Sequence, residues 1–170
     1  MRPAANEYPE YFHKYVSLVP EEDVFAALEP QAAQIEGLVA RVAADKETFA
    51  YAPGKWSVRE MFGHIGDAER VFAYRAVTFS RFDAASLPGF DEATWTPHGH
   101  FADAPLRELA EEFAWLRRAN LQMLRRLDDA QWSAGGKGDN KPITVRALAY
   151  VMAGHIRHHL GVLHDRYAIV

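Results

Sequence analysis

Hydrophobic residues recur at alternating intervals of three and four along four separate stretches, the period of a helix with one buried face. The clearest stretch spans residues 144–167, where Val145, Leu148, Met152, Ile156, Leu160 and Leu163 form one stripe and Thr144 supplies the cap. Another runs from Ser57 to about Arg81 with Met61, Ile65, Ala68 and Phe72 inward. It opens on Ser57 and Glu60, whose spacing is that of a capping box. In a third, Leu106, Leu109, Phe113, Leu116, Asn120, Met123 and Leu127 keep the alternation unbroken, as a bundle seam does. Residues 21–44 carry Val24, Phe25, Leu28, Ile35, Leu38, Val39 and Val42, but Pro30 interrupts them. Proline cannot donate within a helix, so this stretch predicts either a kink or a short helix running into a longer one with Pro30 in its first turn.

The remaining segments lack a period. Residues 1–20 read as an extended arm whose aromatics Tyr8, Tyr11, Phe12 and Tyr15 pack on the domain, because leaving them in water is costly. Residues 83–104 are proline-bearing and aperiodic and read as a long crossover, and Gly135 to Gly138 read as a loop. Strand signals, internal repeats and linkers are absent. The economical architecture is all-α, a single-domain four-helix bundle over residues 1–170 with one long crossover between helices two and three.

The candidate chemistry lies on two of these helices. His155 and His159, four apart, share the inward side of the last stripe. His64, one turn after Met61 and one turn before Ala68, faces inward from the second helix. A buried imidazole needs partners for both ring nitrogens, and one metal ion satisfies a nitrogen of all three rings at once. Three protein ligands leave a position open for water or substrate, as in catalytic zinc sites. The plainer alternative is three neutral core histidines, each bonded to a backbone carbonyl.

Other polar residues carry weaker signals. Asp67, three after His64, is placed to orient a ligand or reach a bound water, or else to pair with Arg70 or Arg75 on the surface. Asn120, within an apolar seam, either hydrogen-bonds into the site or fixes helix register. His158 adjoins the pair but points elsewhere, which favours a surface or hydrogen-bonding role. His98 and His100 fall in the crossover, where a loop can cover a site, although loop histidines are usually solvated.

Composition narrows the chemistry. The 170 residues contain no cysteine, which excludes disulfides, thiolate catalysis and thiolate metal sites and leaves histidine and carboxylate as the strong ligands. Nineteen Lys and Arg against 23 Asp and Glu give a net charge of −4 without a basic run, so nucleic acid is a poor partner. The first residues are acidic and proline-bearing where a signal peptide needs an apolar run, and nowhere do about 18 apolar residues follow one another. These features lead us to expect a soluble cytoplasmic protein with no membrane contact.

The segments PGKWSVREMFGHIGDAERVFAYRA, LPGF and RALAYVMAGHIRHHLGVLHDRY resemble the DinB-like superfamily from about Tyr15 to Tyr167. GHIGDAE and GHIRHHLGVL are the most specific pieces. The resemblance implies a four-helix bundle and a divalent-metal site from one histidine on the second helix and an H-x-x-x-H pair on the fourth. His64, His155 and His159 match those positions. It further implies zinc or nickel and a homodimer, and it gives no licence for DNA chemistry.

Two enzymatic readings with a small-molecule substrate follow. In one, an activated water attacks an electrophile, as in a hydrolase. In the other, a low-molecular-weight thiol cosubstrate attacks, as in an S-transferase, an activity the resemblance also implies for some relatives. The opposing reading is a non-enzymatic stress-response protein with a structural metal. An H-E-x-x-H peptidase is excluded because Ile156 follows His155. A di-iron bundle is excluded because the one Glu-x-x-His string, Glu10 to His13, lies in the arm.

Overall fold

The computed structural model describes residues 2–169. Its helices are α1 (His13–Val16), α2 (Val24–Leu28), α3 (Gln31–Val39), α4 (Val58–Ser80), α5 (Glu92–His98), α6 (Leu106–Leu124), α7 (Asp129–Ser133) and α8 (Val145–Tyr167). The two longest helices, α4 and α8, start where their local chemistry directs. The Ser57 N–H donates to Glu60 Oε2 at 2.7 Å and the Glu60 N–H donates to Ser57 Oγ at 3.3 Å, which closes the capping box of α4. Thr144 Oγ1 accepts from the Ala147 N–H at 3.2 Å and caps α8. At Pro30 the second alternative holds: α2 ends just before it, and α3 begins just after it.

α3, α4, α6 and α8 form the bundle. α6 packs on α3 and α4, α4 packs on α8, and α1 and α2 cover the remaining side of α8. From Ala147 to Ile156 every residue of α8 is buried, so the first half of this helix is a central rod rather than a half-exposed stripe. One apolar cluster surrounds its first turns and takes in α1, α2 and Phe72 of α4. A second joins α3, α6 and the start of α4 around Ile156 and Leu163. Gly154 lets α1 approach, since a Cβ there would overlap the Tyr15 carbonyl.

Four expectations need correcting. The arm is mostly helical turns rather than extended; Tyr15 is buried and Tyr8 and Phe12 pack partly buried on the core as expected, but Tyr11 stays 55% exposed. The crossover contains α5, a helix too short to show a period, capped by Asp91 through the Ala93 N–H at 3.0 Å.

The glycine-rich segment is a strand. β1 (Ser86–Leu87) pairs in parallel with β2 (Gly135–Gly138), which pairs antiparallel with β3 (Lys141–Thr144). Its hairpin turns at Asp139 and Asn140, both with positive φ, the geometry of a type I′ turn. The glycines hid this strand by lacking β-propensity. They are needed because the sheet lies on α4, where a Cβ at Gly136 would overlap the Phe79 ring.

Finally, α6 buries Leu106, Leu109, Ala110, Phe113, Ala114, Arg117, Leu121 and Leu124, so the expected seam holds as far as Phe113 and the buried face is rotated from it beyond. Leu116, Asn120 and Met123 lie half-buried at its edge. A polar residue, Arg117, sits at the centre of the true face, and this is why the apolar pattern pointed slightly aside.

Candidate metal centre

His64 comes from α4, and His155 and His159 come from successive turns of α8. They are 5%, 4% and 7% exposed. His155 Nε2 lies 3.1 Å from His64 Nε2 and 3.0 Å from His159 Nε2. A neutral imidazole nitrogen offers one in-plane proton or one in-plane lone pair, so His155 Nε2 cannot satisfy both neighbours by hydrogen bonding. Three lone pairs around one cation remove the conflict. Tetrahedral ligands at zinc–nitrogen distances are about 3.3 Å apart, close to these separations. Nδ1 of His64 and of His159 is buried without a hydrogen-bond partner, so the protein leaves the ring proton free to sit there and expose the Nε2 lone pair. The donor set fits a divalent ion.

The surroundings keep the rings uncharged. Burial, with a smaller contribution from His158, lowers His64 from 6.5 to about 4. Burial and then repulsion from the neighbouring histidines hold His155 and His159 well below the ordinary range. Trp56 lies over His64 with ring centroids 4.7 Å apart, Phe72 and Tyr15 meet the edge of His155 at 5.6 and 5.3 Å, and Phe90 stacks on His64 at 6.2 Å.

A stability consequence follows for the metal-free protein. The unfolded chain takes up protons at these histidines near pH 6.5, whereas the fold refuses one at His64 until about pH 4. Stability is therefore unaffected well above pH 6.5 and is lost as the pH falls below it, by up to about 1.4 kcal/mol per pH unit for each histidine. Urea midpoints of chelated protein are expected to fall between pH 7.5 and pH 5.5, above the carboxylate range. A midpoint constant over that window would contradict buried neutral imidazoles.

All three rings line a cavity of about 800 Å³, open on one side, between α1, α4, α8, the start of the crossover and the β2–β3 hairpin. His158, expected to point elsewhere, also lines it, half-buried, with its ring 5.1 Å from that of His159. Burial first, and then Lys14, lowers its pKa. The other candidates lie elsewhere. Asp67 sits beside Arg70 at 3.9 Å, and burial raises its pKa. Asn120 Nδ2 donates to Glu69 Oε1 at 2.8 Å. His98 is exposed and bonded to the Thr94 carbonyl at 2.8 Å, and His100 is exposed at the start of a 3₁₀ turn. Neither Asp67, Asn120, His98 nor His100 lines the cavity among the described residues. The crossover reaches it through Phe90, Asp91 and Glu92 instead.

Sequence reasoning missed the contribution of Gly138, Asp139 and Lys141, for which the paired turn residues Asp139 and Asn140 were the available signal. It also missed the buried pair Arg117–Glu69.

Comparison with known proteins places these features in context. The structure of YfiT from Bacillus subtilis, described as a probable metal-dependent hydrolase with an unusual four-helix bundle topology, is similar over 100% of this chain and 95% of that one, with a TM-score of 0.74 and 19% identity. That likeness establishes the fold. No curated protein sequence matches the chain. No helix among the described residues is long and apolar enough to cross a membrane. The family model of the DinB superfamily matches residues 27–163, most of the chain. By its sequence and its fold, this chain belongs to the DinB superfamily.

Proposed function

We propose that the protein is a metal-dependent enzyme holding one divalent ion, zinc or nickel, on His64, His155 and His159, and that it acts on a small molecule in the adjoining cavity. The observation that carries this reading is the convergence of three uncharged buried Nε2 atoms on the wall of an open cavity. A purely structural metal calls for a closed coordination shell, not one facing about 800 Å³ of space.

On three neutral ligands the ion supplies a Lewis acid that makes water or a thiol nucleophilic near neutral pH. The protein's own groups do the rest. Trp56, Phe72, Phe90 and Tyr15 pack against the histidines and give them an apolar flank. His158, uncharged at neutral pH and beside His159, is placed to accept a proton from the nucleophile. Hydrolysis is the first reaction to test, in line with what is said of YfiT. A thiol cosubstrate is the second, because the cavity has room for two small molecules. A homodimer is the assembly we propose with it.

Metal content decides the reading. Untagged protein purified without chelator is expected to carry about one zinc or nickel per chain by plasma mass spectrometry. No bound metal, with none taken up on titration, would leave three packed histidines and overturn it.

A further inference from the structure

Arg75 lines the same cavity and is 4% exposed. Of its five N–H donors, one is spoken for: Nη2 donates to the Pro88 carbonyl at 2.8 Å. No carboxylate lies within ion-pair distance of it among the described residues. Asp139 acts on it from farther away and is itself paired with Lys141 at 3.5 Å. Burial therefore pulls its pKa down, only partly offset by Asp139. A buried guanidinium normally has a carboxylate partner, because desolvating a charge is costly. The fold also makes room for it. A Cβ on Gly138 would lie 3.0 Å from Arg75 Cζ and 3.1 Å from Nε and Nη1, so β2 carries glycine where the guanidinium passes.

His64 and Arg75 are both on α4. Their eleven-residue separation is three turns, so they share one face about 16 Å apart along the axis. The cavity thus carries the three imidazoles and, from a position three turns farther along α4, an unpaired planar cation.

We propose that Arg75 is a specificity-determining residue that binds an oxyanion, a carboxylate or a phosphate, on the far end of an extended small molecule whose reacting end lies at His64, His155 and His159. The fork of the guanidinium matches either group through two parallel hydrogen bonds. This inference rests on the metal-dependent reading for the position of the reacting end.

The test uses cobalt-loaded protein, in which a thiolate–cobalt absorption band reports binding. Probes are ω-mercaptocarboxylates of increasing chain length, the matching mercaptoalcohols and the matching mercaptoalkyl phosphates. At one chain length the acid is expected to bind about tenfold or more tightly than the alcohol, the scale of a charge-assisted hydrogen bond. The carboxylate and phosphate series show which anion the site prefers. In Arg75→Leu the acid-to-alcohol ratio is expected to fall to about one, with alcohol affinity held within about twofold. Gly138→Ala, which crowds the guanidinium, should lower the ratio in the same direction and decides the matter if Arg75→Leu does not fold. A band with every thiol but no acid preference at any length, or a preference that survives both substitutions, overturns this proposal alone. Failure of the protein to take up cobalt overturns the metal reading and this proposal with it; cobalt-loaded protein that gives no band with any thiol overturns this proposal alone.

Discussion

Arg117→Ala is expected to cost about 3–5 kcal/mol, the scale for removing one member of a buried ion pair. Arg117 is fully buried on α6 and meets Glu69 of α4 with both ends of its fork, Nε to Oε1 at 2.9 Å and Nη2 to Oε2 at 2.8 Å. Its remaining nitrogen donates to Gln31 Oε1 of α3, and Gln31 Nε2 donates to the Ala153 carbonyl of α8 at 2.7 Å. Asn120 adds a donor to Glu69. The four bundle helices are therefore joined through one polar network at the turn of α8 just before His155. Truncating Arg117 leaves the Glu69 carboxylate, 2% exposed, without its counter-charge.

Against a typical stability of about 5–15 kcal/mol, such a loss is severe. Urea unfolding measures it directly. Replacing Arg117 and Glu69 together with methionine should recover much of the loss, because an apolar pair no longer holds an unpaired charge. It should not recover all of it, since Gln31 and Asn120 would lose their partners. A loss below about 1 kcal/mol for Arg117→Ala would show that water reaches this network and that it is not holding the bundle.

His159→Ala is expected to lose most bound metal while circular dichroism shows helicity largely intact. Substituting groups that merely orient a metal ligand costs about 10–100-fold in affinity, so removing one of three ligands should exceed that range. The fold should tolerate the change, because the ring faces the cavity and its Nδ1 holds no protein partner. His158→Ala is the comparison that separates ligation from proximity. That ring adjoins His159 yet lies outside the group of ligand atoms within 4.8 Å of one another, so this variant should keep its metal. Full metal retention by His159→Ala would remove the basis of the assignment.

The parts of this protein that were legible in advance are those governed by neighbours close in sequence. The period of α8 sends His155 and His159 to one side, and both are buried there together with His64. The capping box of α4, the threonine cap of α8 and the break at Pro30 all depend on groups within one turn of each other. Such signals survive folding because the backbone must satisfy them wherever the helix comes to rest.

What only the tertiary structure decided depends on partners far apart along the chain. Arg117 fits the buried spacing of α6, but the carboxylate that balances its charge there, Glu69, is 48 residues away. The small sheet can lie on α4 because glycine stands opposite Phe79, not because those glycines favour a strand. The cavity takes its shape from the arm, the crossover and the hairpin together, so no single segment announces it. Periodicity reports which face of a helix avoids water; it carries no information about which distant group will satisfy a buried charge or bound an open space.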